Sequence, residues 1–252
     1  MIRNFLPYFI YRKLFGDRIK YKTRIKTNDK DWKLWMKHIE KIYSIRETSL
    51  PGIIINYFSY NILKSINLKN KTVLEIGPGN LLHYKFWQNK PKKYFLLDSN
   101  LKYLEISNNK LNKRDIKAIK LKVNNNNFKI KQKSNSVDIV ISFFSLEHIY
   151  NLNTCIKEIS RILKKNGLLI FAIPNEGSFA WGFSRYLISR RWMKKNTNIN
   201  YDKVICWEHP NFATRIIQSL DKNLVRIKVN KVPNLYFDDF SLIIKGIYKK
   251  II

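Results

Sequence analysis

The chain has 252 residues, 45% of them hydrophobic, which supports one sheet-centred domain with a substantial core and excludes global disorder. It carries 48 Lys and Arg against 18 Asp and Glu, a net charge of +30. Cys155 and Cys206 lie in unrelated segments and suggest neither a disulfide framework nor a zinc motif, so a reducing, cytoplasmic setting is expected.

Residues 1–70 read as a helical extension or cap. The first 25 residues interleave aromatics with Arg and Lys, as an interfacial helix does, but Pro7 and Gly16 interrupt them. Docking onto the rest of the protein therefore outranks peripheral contact with the inner face of a membrane. No stretch is long and apolar enough to span a bilayer, and the Asn4 to Ile10 run lacks a small-residue cleavage site. Asp31 to Ile42 sets Trp32, Trp35, Met36, Ile39 and Ile42 at near-helical spacing, and Gly52 to Ile66 follows as a second apolar helix.

From residue 71 to 252 strand and helix alternate. Strands are expected at 72–76, 94–98, about 116–121, 137–143 and 167–173, a pattern that predicts a doubly wound parallel sheet. The helix between the last two carries Leu152, Ile156, Ile159 and Leu163 on one face, beside Cys155 and Ile162. Cys155 thus reads as core, not nucleophile. Lys164, Lys165 and Gly167 suit the end of this helix. Residues 176–210 mix aromatics with Arg and Lys and read as a substrate-side insertion. Pro210 is expected to open a helix from Asn211 to Leu220, with Phe212, Ile216, Ile217 and Leu220 inward. Leu224 to Val232 and Phe240 to Tyr248 close the chain as an antiparallel hairpin. The whole is an α/β, Rossmann-like, mostly parallel seven-stranded sheet with a C-terminal antiparallel strand and an N-terminal helical extension.

The first strand, Val73-Leu74-Glu75-Ile76, stops at Gly77-Pro78-Gly79-Asn80, as a buried parallel strand entering a glycine turn does. Glycines there let a ligand lie against bare backbone. The second strand ends in Asp98, about 20 residues on, where nucleotide-binding sheets place a carboxylate for ribose hydroxyls. Two adenosine-containing cofactors fit. A dinucleotide site wants a third glycine, where this chain has Leu82. The Tyr-x-x-x-Lys at Tyr60 and Lys64 also lies upstream of the turn, the wrong side for a short-chain dehydrogenase.

The alternative is S-adenosylmethionine. Val73 to Asn80 resembles motif I of the class I methyltransferases, and Asp98 their ribose-binding acid. Val137 to Ser142 followed by Leu146-Glu147-His148-Ile149 resembles their fourth strand and its loop, and Arg161 to Ile170 the passage into their fifth strand. The resemblance covers residues 72–175 and is nearest to the type 11 group. It implies S-adenosyl-L-methionine as cofactor, held by Glu75, Gly77, Pro78, Gly79, Asn80, Asp98, Ser99 and Ser142. Two positions depart from the pattern. Leu81 replaces the usual third glycine of motif I, which should tighten the exit of the turn without abolishing the pocket. Asn126, in the run Asn124 to Asn127, aligns with the acid that contacts the adenine amino group, and its carbonyl can accept that bond.

Methyl transfer is an in-line displacement in which the protein aligns the reactants and removes a proton. Glu147 and His148, just after the fourth strand, are the candidates for that work, with His209 bordering the acceptor pocket. Neither histidine has the local spacing of a metal cluster, so no metal is expected. Asn175 follows the fifth strand, not the fourth, and Phe143-Phe144-Ser145 disfavours methylation of base amino groups. The passage from Ile173 through Trp207-Glu208-His209-Pro210-Asn211-Phe212 resembles methyltransferases of bacterial surface-glycan pathways, which implies a small-molecule or carbohydrate acceptor, methylated at oxygen. The alternatives are an RNA methyltransferase, suggested by the +30 charge, and a non-catalytic, membrane-docked cofactor-binding protein. Against the first, the lysines are scattered, and Lys, Asn and Ile share A/T-rich codons, so base composition accounts for much of the charge.

Overall fold

The computed structural model describes residues 1–124 and 127–251, apart from the side chain of Arg46. Four helices precede the sheet: α1 (Tyr8–Phe15), α2 (Arg18–Tyr21), α3 (Lys30–Thr48) and α4 (Leu50–Tyr60). Asp29 caps α3 by accepting from the backbone of Asp31 and Trp32, and Ser49 caps α4 with Pro51 in its first turn. The expected second helix is thus shorter than its apolar run, and a 3₁₀ turn at Asn61–Ser65 carries the chain to the sheet.

The α/β unit follows as β1 (Thr72–Ile76), β2 (Lys93–Asp98), α5 (Leu101–Asn112), β3 (Ala118–Lys122), β4 (Val137–Phe143), α6 (Leu152–Ile162) and β5 (Leu163–Pro174). Next come α7 (Phe179–Arg185), α8 (Arg191–Asn196), α9 (Tyr201–Glu208), α10 (Ala213–Asn223), β6 (Val225–Val232) and β7 (Ile243–Lys249). The seven strands lie in the order β3-β2-β1-β4-β5-β7-β6, with β7 antiparallel to both its neighbours and the other six parallel. The expected α/β architecture with its closing antiparallel strand is therefore present. Order reverses between β1 and β4, which opens a crevice at their carboxyl ends.

Both faces of the sheet are covered, which is why its central strands read as continuous apolar runs. Leu74, Ile76, Val140, Leu169 and Phe171 pack with Ile156, Ile159, Ile216 and Leu220 of α6 and α10 on one side. Val73, Leu96, Ile139, Ile141 and Ile170 pack on the other, with Leu63, Leu104 and Leu111. A third cluster joins Trp35 of α3 to Met193 and Val204 of α8 and α9, so the helices at both ends of the sequence meet over the crevice. Among the described residues no helix is long and apolar enough to cross a membrane.

Two boundaries differ from the sequence reading. Residues 163–166 belong to β5, because Leu163 pairs with Val137 and Asn166 donates to Lys250 O at 2.8 Å; Gly167 ends no helix. Pro210 opens no helix either. Asn211 is buried with its side chain donating to Leu146 O and Ile149 O at 3.2 and 2.6 Å, and α10 begins two residues later.

The amino terminus is pinned to the far end of the chain. Arg3 donates to Gly177 O and Thr214 Oγ1, and Arg18 to His209 O and Pro210 O. Both guanidiniums stack on Phe212, at 4.3 and 4.1 Å from its ring centre.

Candidate active site

The chain leaves β1 through Gly77 and Gly79, with φ of 66° and 49°. A Cβ on Gly77 would sit 2.5 Å from Ser145 Cβ, so this glycine lets the loop after β4 close on the turn. A Cβ on Gly79 would meet nothing within 4 Å, so the bare backbone there borders open space, as a ligand cradle must. From behind, α5 holds the turn: Ser107 donates to Gly79 O at 2.8 Å and Lys110 to Asn80 O at 2.7 Å. Asn80 donates to Glu47 of α3 at 2.6 Å, and Pro78 is buried beneath. Leu81 adopts φ 51°, so leucine occupies the left-handed conformation suited to glycine, at about 1–2 kcal/mol. Its fully buried side chain, in the cluster of Tyr60, Leu63 and Leu104, offsets that strain.

Asp98 stands at the end of β2, beside the turn, where Gly77 N donates to Leu97 O at 2.9 Å. Burial pushes its carboxyl up from 3.8 to about 6, against the pull of the backbone N–H groups of Asn100 and Ser99. A carboxylate held at this energetic cost beside open backbone is a ready acceptor for hydroxyls. Ser99 is exposed just beyond it. Ser142 is buried under the β4 loop, its hydroxyl 2.6 Å from that of Ser145, which donates to Ile76 O. Asn126 lies outside the described residues.

Glu75 is placed differently from the cofactor role given to it above. Strand alternation turns it onto the face of Val73, where its carboxylate is buried. One oxygen meets His83 Nε2 at 2.5 Å and the other accepts from the Tyr94 hydroxyl at 2.6 Å. Trp87 donates to His83 Nδ1, so Nε2 is the protonated nitrogen and His83 donates to Glu75. The carboxylate is committed to a polar cluster that ties β1 to β2 and to the turn after it.

Past β4, Glu147 is buried and His148 half-buried, with His148 Nε2 3.8 Å from Glu147 Oε1. His148 Nδ1 lies 2.7 Å from Glu208 O, a carbonyl that can only accept, so Nδ1 carries a proton. The rings of His148 and His209 meet edge-on at 4.7 Å. His209 Nδ1 lies 2.8 Å from Glu176 Oε2. Burial opposes ionisation of Glu176, but Arg185 and His209 outweigh it and hold the carboxyl well below its usual range. The Tyr43 hydroxyl donates to Glu208, so α3 touches this cluster as well as the glycine turn.

The structure thus brings His148 and His209 together, and adds Glu208 and Glu176, which the sequence reading did not single out. One ligand atom from each of His148, Glu208 and His209 lies within 4.8 Å of the others, a proximity that local sequence spacing does not show. Glu208 was visible as the neighbour of His209, but nothing local announced its meeting with His148. Asn175, by contrast, spends its amide on Asp238 O, Ser241 O and Ser241 Oγ. Cys155 is buried core, its thiol pushed up by burial. A separate groove of about 310 Å³ lined by Ser65, Asp138, Lys164 and Gly167 lies at the amino-terminal ends of β1 and β4, the wrong end of a parallel sheet for a nucleotide.

Residues 74–171, which include the end of β1, Asp98, the β4 loop and most of β5, match the family profile described as a methyltransferase domain. Over those residues the chain carries a methyltransferase domain, on the Rossmann-like fold of the class I enzymes. S-adenosylmethionine is the cofactor of that class, and the open backbone at Gly79 beside a desolvated Asp98 fits its adenosyl half. An uncharacterized protein of Methanocaldococcus jannaschii, MJ1252, is 33% identical over 109 residues, 43% of this chain and 39% of its own length. The match therefore spans about two fifths of that curated relative. Among solved structures, a SAM-dependent methyltransferase from Aquifex aeolicus superposes with a TM-score of 0.55 at 16% identity, over 84% of this chain and 98% of its own. A chain of the complex between the Haloferax volcanii Trm112 methyltransferase activator and its methyltransferase gives 0.57 at 11% identity, over 90% and 100%. At these identities the superpositions speak for the fold.

Proposed function

We propose that this methyltransferase domain moves a methyl group from S-adenosylmethionine to an oxygen of a small-molecule or carbohydrate acceptor. The observation that carries the reading is the pairing of Asp98 with the open backbone at Gly79, on the same edge of the sheet as the His148 cluster. Asp98 would accept from the ribose hydroxyls while Gly79 and Asn80 lie along the adenosyl group. Bound S-adenosylmethionine supplies a methyl on a positively charged sulfur, whose electron pair returns to sulfur as the acceptor oxygen bonds to carbon. The protein's own tasks are to align the two reactants, exclude water and remove the hydroxyl proton. His148 is assigned that proton, since its neutral ring keeps the lone pair on Nε2. Glu147, His209 and α3 would border the acceptor.

Calorimetry of the whole chain with S-adenosylmethionine and with NAD tests the cofactor. Binding of NAD in preference would end the reading. A labelled-methyl screen over hydroxylated acceptors then tests the acceptor class, and His148→Ala should lower turnover about 100-fold while leaving donor affinity within twofold. Unaltered turnover would remove His148 from the chemistry.

A second reading adds peripheral membrane contact. Phe5, Phe9 and Ile19 are 86%, 58% and 67% exposed, close in sequence to Arg12, Lys13 and Lys20. Flotation with anionic vesicles tests it, and flotation unchanged in a Phe5→Ser, Phe9→Ser variant would reject this anchor.

A further inference from the structure

We propose that His148, Glu208 and His209 form a site for one divalent transition-metal ion of the zinc or manganese type. Two imidazoles and a carboxylate are a borderline donor set that suits such ions better than magnesium or calcium. The three groups converge from separate elements, the loop after β4 and the end of α9, with one ligand atom each within 4.8 Å of the others. Coordination at about 2.0–2.2 Å brings cis ligands to roughly 3–3.4 Å, so the ligand atoms would draw together by up to about 1–2 Å on binding.

The surroundings carry the argument further than the convergence does. A metal-bound histidine characteristically donates its other ring N–H to a carboxylate or a backbone carbonyl, which fixes the ring and raises its basicity. Both histidines are held in that way. His209 turns Nδ1 to the Glu176 carboxylate at 2.8 Å, and His148 turns Nδ1 to Glu208 O at 2.7 Å, so in the neutral form of each ring Nε2 is the lone-pair nitrogen. Glu208 is itself oriented by the Tyr43 hydroxyl through Oε1. Of the nearby cations, Arg185 is paired with Glu176 and comes within 3.4 Å of His209 Nδ1, and Arg18 donates to His209 O.

Three protein ligands leave coordination positions for an acceptor oxygen. On the methyl-transfer reading above, on which this role rests, the ion would lower the pKa of the hydroxyl and His148 would act as a ligand, its proton-accepting role passing to solvent. Binding of the ion itself does not depend on that reading.

The test is equilibrium dialysis of the metal-depleted full chain against Zn²⁺ and against Mn²⁺, with the visible absorption of Co²⁺ reporting coordination. One ion per chain is expected, retained by His38→Ala and weakened at least about tenfold by His148→Ala and, independently, by Glu208→Gln. Circular dichroism and donor calorimetry identify a variant that has merely unfolded, in which case the other variant decides. Failure of the wild-type chain to bind at millimolar free metal, or binding that survives both substitutions, overturns the proposal. Donor binding without an ion sinks this site and leaves methyl transfer with His148 as base. An ion without donor binding keeps the site and sinks the methyl-transfer reading.

Discussion

Asp98→Asn should make the protein more stable and less able to bind its cofactor. The carboxyl is raised from 3.8 to about 6 by burial, so ionising it in the folded chain costs about two pH units, each worth about 1.4 kcal/mol. The sign follows from linkage: the folded state holds the proton more tightly, so stability is greatest when the group is protonated and declines as pH rises from about 4 to about 6. The penalty is then about 3 kcal/mol at pH 7.5 and about 1 kcal/mol at pH 4.5. A neutral amide of the same shape escapes it and can still accept from the Asn100 N–H, which meets Asp98 at 2.8 Å. Thermal unfolding of the cofactor-free protein should therefore rise by up to about 10 °C at pH 7.5 and by about a third as much at pH 4.5. Calorimetry should show the opposite trend in function. Losing charge-assisted bonds to two hydroxyls, with one weaker bond kept, costs about 2–4 kcal/mol, or roughly 30- to 700-fold in affinity. A variant no more stable than the parent at pH 7.5, with undiminished cofactor affinity, would refute both the buried-acid argument and the site.

Other outcomes follow from the same geometry. Cofactor affinity should be flat above about pH 6 and fall by up to tenfold per unit below it, because a protonated Asp98 must be ionised to accept both hydroxyls; titration calorimetry across pH 5–8 checks this, and the Asp98→Asn variant should show no such slope. Leu81→Gly restores the family's usual residue but should destabilise by about 1–3 kcal/mol in urea unfolding, since the lost burial exceeds the strain relieved. Gly77→Ala should abolish cofactor binding, and adding Ser145→Gly should recover part of it by removing the carbon 2.5 Å from the new methyl; no recovery would mean the left-handed φ alone decides. Glu176→Gln should cost about 3–5 kcal/mol by leaving buried Arg185 without its counter-ion, and an unchanged urea midpoint would contradict that.

The sheet was legible because its strands are buried on both faces and end at turn residues, signals that live within six or seven positions. Val73 to Ile76 and Val137 to Phe143 needed no knowledge of their neighbours. Boundaries slipped where partners far along the chain decided them, as when Lys250 drew Asn166 into β5 and the Leu146 and Ile149 carbonyls drew Asn211 inward. The candidate site divides in the same way. The glycine turn and Asp98 are a local pattern with a fixed span between them. The meeting of His148 with Glu208 and His209 is not, since the insertion must fold back across the crevice before those groups are neighbours. For Glu75 the motif position alone does not place the carboxylate: strand alternation and the reach of His83 and Tyr94 decide where it goes.

The clasp of Arg3 and Arg18 around Phe212 bears on how the protein can be handled. The two arginines bind carbonyls at Gly177, His209 and Pro210, the very segments that flank the imidazole cluster. Trimming the first twenty residues, or fusing a bulky tag to Met1, would strip the struts from that corner and leave an uncovered aromatic ring. An inactive truncated preparation would then report a collapsed corner beside the imidazole cluster rather than a missing catalytic group.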